Sequence, residues 1–172
     1  MKKLSLIILI CSNTAFAQNA MKKGITYKQH RYIEIIKQLA VLYEKGDVDA
    51  MAKVYADTAR ILGMTRYNPD TSRSGKSAQV NGKSVAQAKA GWKNIFENWE
   101  GIKMRLIEDP DGLDYAGAPF KVQSSWKLTL VNKRTKKAAT TEIILFDWFN
   151  KDGKIACQTE YYDPASFIAA MQ

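Results

Sequence analysis

The chain has 172 residues, of which 46% are hydrophobic and 25% charged, so it can bury a core and does not have the composition of a disordered protein. Its formal net charge is +9, but the densest basic run, at 132–137, lacks the interleaved aromatic residues of nucleic-acid-binding surfaces. With one histidine and two cysteines, the chain is poor in zinc ligands. We therefore expect no metal, no cofactor and no nucleic-acid partner.

The first 17 residues have the pattern of a secretory signal peptide. Two lysines precede an apolar run over residues 4–11, and the tripeptide Ala-Phe-Ala at 15–17 fits a cleavage site. The apolar run is much shorter than the roughly 20 residues that span a bilayer. We expect cleavage near Ala17, export to the periplasm or the medium without stable membrane insertion, and a single domain over residues 18–172.

Cleavage there removes Cys11 and leaves Cys157 as the single cysteine, which cannot form an internal disulfide. A nucleophilic Cys157 would need a base, and His30, near the start of a helix, is the only histidine. We expect Cys157 to be a core or interface residue.

The first half of this domain predicts helices. Apolar residues from Tyr32 to Tyr43 recur at helical spacing, Gly46 ends that helix, and Asp47 and Ser84 are suitable caps for two further helices. The predicted helices cover residues 27–45, 48–56 and 85–99, and a short strand covers 59–64. The polar segment 65–82 predicts a long loop, of the kind that forms lids or binding loops or is disordered.

The second half predicts antiparallel strands joined by short turns. These strands cover residues 101–110, 120–131, 140–149 and 154–163. The turn at 150–153 suits a left-handed Gly153, and Asp163 is a suitable cap for a helical turn over 164–171. Helices followed by strands predict an α+β fold with the helices on one face of the sheet.

This order resembles the nuclear-transport-factor-2-like superfamily, also called SnoaL-like or cystatin-like proteins. The segments that carry the resemblance are residues 44–51, 54–57, 81–84, 149–155 and 160–163. It implies a curved, mostly antiparallel sheet wrapped around three helices, with a conical pocket inside and a homodimer formed through the outer face of the sheet. Because the superfamily includes isomerases, hydrolases, dehydratases and binding domains, the fold does not give the activity.

The expected pocket residues follow from the register of the last hairpin, in which Phe149 pairs with Ile155 and strand alternation continues from there. That register places on one face Ile144, Phe146, Trp148, Gln158, Glu160 and Tyr162. The opposite face would include Asp147 and Tyr161. The remaining expected ligand-binding residues are aromatic: Tyr32, Tyr55, Trp92 and Trp126. Apolar walls with a few polar groups are typical of a ligand pocket.

Residues 160–163, an acid followed by two aromatics and a second acid, are similar to the last long strand of limonene epoxide hydrolases. This similarity implies Glu160 as a catalytic acid or base and Tyr162 as a group that holds a substrate oxygen. The Arg-x-Asp pair of those enzymes is missing from residues 123–128. Isomerase chemistry would need an Asp base and a Tyr–Asp donor pair, for which Tyr32, Tyr55 and Asp147 are candidates. Alternatively, Glu160 forms an ion pair with Lys127 or Arg105 at the rim.

Three functions therefore remain open. The first is an exported domain that binds a small, largely apolar ligand. The second is an enzyme of the hydrolase, isomerase or dehydratase type that uses Glu160. The third is a homodimeric interaction module without a ligand.

Overall fold

The computed structural model describes residues 24–64 and 82–172, and these residues form one six-stranded sheet and four helices. The helices are α1 (Arg31–Lys45), α2 (Val48–Val54), α3 (Val85–Asn98) and α4 (Ala165–Met171). The strands are β1 (Ile25–Tyr27), β2 (Tyr55–Met64), β3 (Trp99–Asp114), β4 (Lys121–Asn132), β5 (Ala138–Phe149) and β6 (Ile155–Tyr162). The predicted α+β class is confirmed. The predicted signal peptide and most of the predicted loop, at 65–81, lie outside the described residues.

Local sequence signals set the helix ends. Helix α1 ends at Gly46, which has a left-handed φ of 69°. Asp47 Oδ1 accepts a hydrogen bond from the Ala50 N–H, and Ser84 forms a reciprocal capping box with Gln87. Asp163 Oδ1 accepts from the Ala165 N–H at the start of α4, as predicted. These contacts satisfy backbone donors that have no partner within the helix.

The start of α1 differs from the prediction. His30 is its cap, because its Nδ1 accepts a hydrogen bond from the Tyr32 N–H at 3.2 Å. Residues 25–27, just before it, form β1, a three-residue strand paired with β3. So short a strand has no hydrophobic period of its own, and the sequence analysis missed it.

The sheet has the strand order β1-β3-β4-β5-β6-β2. Neighbours are antiparallel except at one edge, where β2 pairs parallel to β6. Strand β3 was predicted to close at Pro110, but it continues to Asp114 across several register shifts. Such irregularities bend a strand, and the sheet curls around α1–α3.

One face of the sheet, here called the inner face, packs against these helices. Side chains of both layers form the core, including Ile33, Ile36, Met51, Val122 and Ile155. Of the described helices, none combines the length and apolar character needed to span a membrane.

The predicted register of the β5–β6 hairpin is correct only at its turn. Gly153 is left-handed, with φ 78°, and Phe149 pairs with Ile155 as expected. The register then shifts, so that Trp148 pairs with Cys157 and Ala156 is the extra residue of a bulge. The further pairs are Asp147 with Gln158, Leu145 with Glu160 and Ile143 with Tyr162.

Because of the bulge, the other set of alternating β5 residues shares a face with the polar residues of β6. Gln158, Glu160 and Tyr162 lie on the inner face, next to Asp147. The residues expected beside them, Ile144, Phe146 and Trp148, lie on the opposite, outer face together with Tyr161. The predicted common face is therefore wrong for β5, and the predicted outer position of Asp147 is wrong as well.

Candidate functional site

A cavity of about 500 Å³ lies between the inner face of the sheet and the helices. Its walls are mostly apolar and include Ile36, Leu39, Trp92, Trp99, Trp126 and Phe167. Its polar side chains are Tyr43, Tyr55, Lys83, Asn94, Gln158, Glu160 and Tyr162. Apolar walls with a few polar groups on one side are the usual composition of a small-molecule pocket.

The structure brings six of the ten predicted site residues together around this cavity. They are Tyr55, Trp92, Trp126, Gln158, Glu160 and Tyr162. The other four lie elsewhere. Ile144, Phe146 and Trp148 are on the outer face because of the bulge at Ala156, and Tyr32 is buried against Phe149 with parallel rings 4.1 Å apart.

Strand pairing arranges the inner face in rows across neighbouring strands. One row is Val122, Asp147, Gln158 and Ile61, on β4, β5, β6 and β2. The next row along the strands is Ser124, Leu145, Glu160 and Gly63. The third is Trp126, Ile143 and Tyr162. One strand, β6, thus supplies three of these polar side chains, Gln158, Glu160 and Tyr162, at two-residue spacing.

Glu160 is the carboxyl group of the cavity wall. Its row neighbours are Leu145 and Gly63, and burial raises its pKa, an effect that the charge of Lys83 partly opposes. Within residues 24–64 and 82–172, it accepts no side-chain hydrogen bond and joins no ion pair. The alternative ion pair with Lys127 or Arg105 is wrong. These two exposed residues are cross-strand neighbours of β3 and β4 on the outer face, whereas Glu160 is on the inner face.

Tyr43 and Tyr162 are among the tyrosines close enough to Glu160 to respond to its charge. Burial and the Glu160 carboxylate raise the pKa of Tyr43 and of Tyr162, so both remain protonated at neutral pH. Tyr43 packs on Phe96, and Tyr162 packs on Phe167 of α4. The described part of the site therefore places the Glu160 carboxyl group near neutral tyrosine hydroxyl groups in largely apolar surroundings.

A hydrogen-bonded network of three polar side chains extends from the cavity wall into the sheet. The Tyr55 hydroxyl donates to Gln158 Oε1 at 3.0 Å, and Gln158 Nε2 donates to Asp147 Oδ1 at 2.7 Å. Asp147 is 0% exposed, and its Oδ2 has no hydrogen-bond partner in the described part of the chain. Burial, with a contribution from Glu160, raises the pKa of Asp147 to about 7, although the Gln158 hydrogen bond opposes this.

Sequence reasoning nominated Asp147 only as one candidate for isomerase chemistry and did not connect it with Gln158. A signal was present. Along β5, Ile143, Leu145 and Phe149 occupy the same face of the strand, and Asp147 is the only charged residue of that series. A charged residue on an otherwise apolar strand face is a candidate for a buried polar contact.

The two residues considered for thiol chemistry have other contacts. His30 caps α1 and stacks on Phe120 with ring centres 4.2 Å apart. Cys157 lies on the outer side of β6, opposite Trp148, and is partly exposed. Across the described ranges, His, Cys, Asp and Glu residues form no cluster of three or more that could hold a metal ion.

No protein-family model matches the chain, and no curated protein matches it by sequence. Solved structures match its fold. PrhC from Penicillium brasilianum NBRC 6234 has a TM-score of 0.62 and 9% identity, with 84% of this chain and 88% of that one covered. AusH from Aspergillus nidulans has a TM-score of 0.59 and 10% identity, with 77% and 83% covered.

A third match is a protein of ketosteroid isomerase-like fold from Catenulispora acidiphila DSM 44928, solved in complex with trimethylamine. Its TM-score is 0.58 at 12% identity, with 80% of this chain and 91% of that one covered. The chain therefore has the ketosteroid isomerase-like fold, which belongs to the nuclear-transport-factor-2-like type expected from its sequence. At identities this low, the likeness concerns the fold alone.

Proposed function

We propose that the protein binds a small, largely apolar molecule in the conical cavity. The observation that carries this proposal is the open volume of about 500 Å³, with apolar walls and a few polar groups, three of them on β6. Cavities of roughly 300–1,000 Å³ hold drug-sized ligands. An open cone also favours ligand binding over the alternative of an interaction module without a ligand.

The walls and the polar groups would make different contributions. Burial of apolar ligand surface against Trp92, Trp126 and Leu145 would supply affinity at about 25 cal/mol per Å². Glu160 and the tyrosines would orient the ligand, because a polar ligand group left unpaired in such walls is costly. The bound trimethylamine of the Catenulispora protein supports the capacity of this fold for small ligands.

Two neighbouring residues of β5 provide a matched test, because they lie on opposite faces of the sheet. Leu145→Trp places a large ring in the cavity, whereas Ile144→Trp adds the same ring to the outer face. We expect apolar probes such as naphthalene to raise the Tm of the wild type and of Ile144→Trp, but not that of Leu145→Trp. Native mass spectrometry of protein from its own host would identify a retained ligand. A panel of apolar compounds that leaves the wild-type Tm unchanged would refute the proposal.

A second candidate function is acid–base catalysis by Glu160. It is favoured by a carboxyl group with a raised pKa in a largely apolar cavity, near two protonated tyrosines. Tyr162 would hold a substrate oxygen, and the reaction would be an isomerisation, a dehydration or a hydrolysis. We expect Glu160→Gln to abolish conversion of a retained ligand while its binding persists. Unchanged conversion would remove Glu160 from the mechanism.

We propose further that the protein is exported after cleavage near Ala17. The basic start, apolar run and Ala-Phe-Ala tripeptide of residues 1–17 support this. N-terminal sequencing of protein isolated from its host should begin at Gln18. Retention of Met1 in the folded protein would contradict it.

A homodimer through the outer face is the remaining proposal. Ile144 and Tyr161 are 42% and 40% exposed there, next to Phe146 and Trp148, which gives a second copy an apolar surface to cover. Sedimentation equilibrium should give twice the chain mass. A monomer at micromolar concentration would contradict the proposal.

A further inference from the structure

We infer that Asp147 and Gln158 hold Tyr55 as a hydrogen-bond acceptor toward the cavity, so that the cavity selects ligands with a hydroxyl or another hydrogen-bond donor. This inference rests on the proposed binding function and specifies the chemical class of the ligand. Asp147 acts here as a positioning residue, because it does not line the cavity itself.

The first step is the orientation of the Gln158 amide. An ionised carboxylate has acceptors only, and a side-chain amide has a donor end and an acceptor end. Asp147, fully buried beside Gln158 on the neighbouring strand, therefore draws the Nε2 end, at 2.7 Å. A charge-assisted bond of this length is stronger than a neutral one, so the amide has one preferred orientation.

The second step is the orientation of the Tyr55 proton. With Nε2 committed to Asp147, Gln158 presents Oε1 to Tyr55, and the Tyr55 hydroxyl donates to it at 3.0 Å. A phenol has one proton to donate and keeps lone pairs to accept. Burial and the charges of Asp147 and Glu160 raise the pKa of Tyr55, so it remains a neutral hydroxyl. What Tyr55 can offer a ligand is therefore an acceptor.

The third step is what happens when Asp147 binds a proton. A protonated Asp147 can donate to Gln158 Oε1, so the amide can rotate and donate from Nε2 to the Tyr55 oxygen. The Tyr55 hydroxyl can then donate a hydrogen bond to the ligand. The titratable groups near Asp147 are Glu160 and Cys157 on β6 and Tyr55 on β2, while its β4 neighbour, Val122, is apolar. Because burial raises the pKa of Asp147 to about 7, the donor preference should weaken below neutral pH.

Three naphthalene probes of similar size test this inference on the full-length protein. The donor is 2-naphthol, 2-methoxynaphthalene offers only an acceptor, and 2-methylnaphthalene is apolar. At pH 8, calorimetry should show 2-naphthol binding about tenfold more tightly than 2-methoxynaphthalene, the effect of one hydrogen bond. At pH 5.5 the ratio should fall towards one.

Variants separate the contribution of the Asp147–Gln158–Tyr55 hydrogen bonds from that of the rest of the cavity. Tyr55→Phe should remove the preference at both pH values, and Asp147→Asn should remove its pH dependence, because an asparagine permits both amide orientations. Tyr161→Phe, the same change on the outer face, should keep both the donor preference and its pH dependence.

Each other outcome overturns the inference. A preference that survives Tyr55→Phe would mean that another group, such as Glu160, accepts the hydrogen bond from the probe. Equal binding of all three probes by the wild type would refute the inference but leave the binding proposal standing. Absence of binding by any probe would refute both.

Discussion

Asp147 has an unusual environment for a carboxyl group. Its carboxyl group is fully buried, one oxygen is held by Gln158, and the other has no partner among the described residues. A buried carboxylate with one unpaired oxygen is destabilising. That a fold places such a group behind a cavity wall is consistent with a role in positioning Gln158 rather than in stability.

The sign of this effect gives a prediction for the pH dependence of stability. The folded-state pKa of Asp147, about 7, lies above that of an unfolded aspartate, about 3.9. The unfolded chain therefore loses this proton first, and the free energy of unfolding should fall between about pH 4 and pH 7, by up to about 1.4 kcal/mol per pH unit. The raised pKa of Glu160 acts in the same direction.

Urea denaturation at several pH values measures this slope. Asp147→Asn should flatten it and should raise stability at pH 8, since the buried charge is gone. Asp152→Asn, in the exposed turn before β6, should leave the slope as in the wild type. A slope that Asp147→Asn leaves unchanged would show that Asp147 is not the destabilising group described here.

At the scale of elements, the basic turn between β4 and β5 has a structural role that its sequence did not reveal. The sequence predicts only a short turn between the strands at 120–131 and 140–149. Instead, Thr135 Oγ1 donates to the Ala170 carbonyl and Arg134 donates to the Met171 carbonyl, at the end of α4. Lys133 Nζ donates to the Phe96 carbonyl near the end of α3. Cationic and hydroxyl donors there satisfy carbonyl groups that lack partners within the helix.

Because α4 contributes Phe167 and Ile168 to the cavity, this anchor should control access to it. We expect Thr135→Val to lower stability by about 1 kcal/mol, the net value of one hydrogen bond. It should also speed ligand dissociation several-fold and speed hydrogen exchange in α4. Lys137→Ala, in the same turn, removes an exposed side chain without such a contact and should change neither. Unaltered exchange in α4 after Thr135→Val would contradict the anchoring role.

The elements also show how far the sequence could predict the site. Helices α1–α3 and strands β4–β6 follow from hydrophobic period and caps, which are local signals. The bulge at Ala156 is different, because it arises where Ile155 and Gln158 must both face inward although they are three residues apart. No local signal at Ala156 or Cys157 demands it. Which β5 side chains line the cavity therefore depends on tertiary packing, and local sequence signals could not predict it.

For the whole molecule, the alternation of the sheet separates two surfaces. Residues of β6 that face inward line the cavity, and their immediate neighbours face the surface proposed for the dimer. Tyr161→Arg, which places a charge in that surface, should yield a monomer that keeps the naphthalene-induced rise in Tm. The control Glu97→Arg, on α3, should remain a dimer. Loss of ligand binding together with the dimer would show that the two surfaces are coupled.

The parallel pairing of β2 with β6 has a consequence for the order of events during synthesis. It joins Tyr55 to Ile155, across most of the domain, so β2 cannot pair with β6 until β6 has left the ribosome. Contacts of such high sequence separation slow folding. Such a delay suits the export proposed above, because a chain that crosses a membrane unfolded must not reach its native state beforehand, and the pairing of β2 with β6 postpones that state.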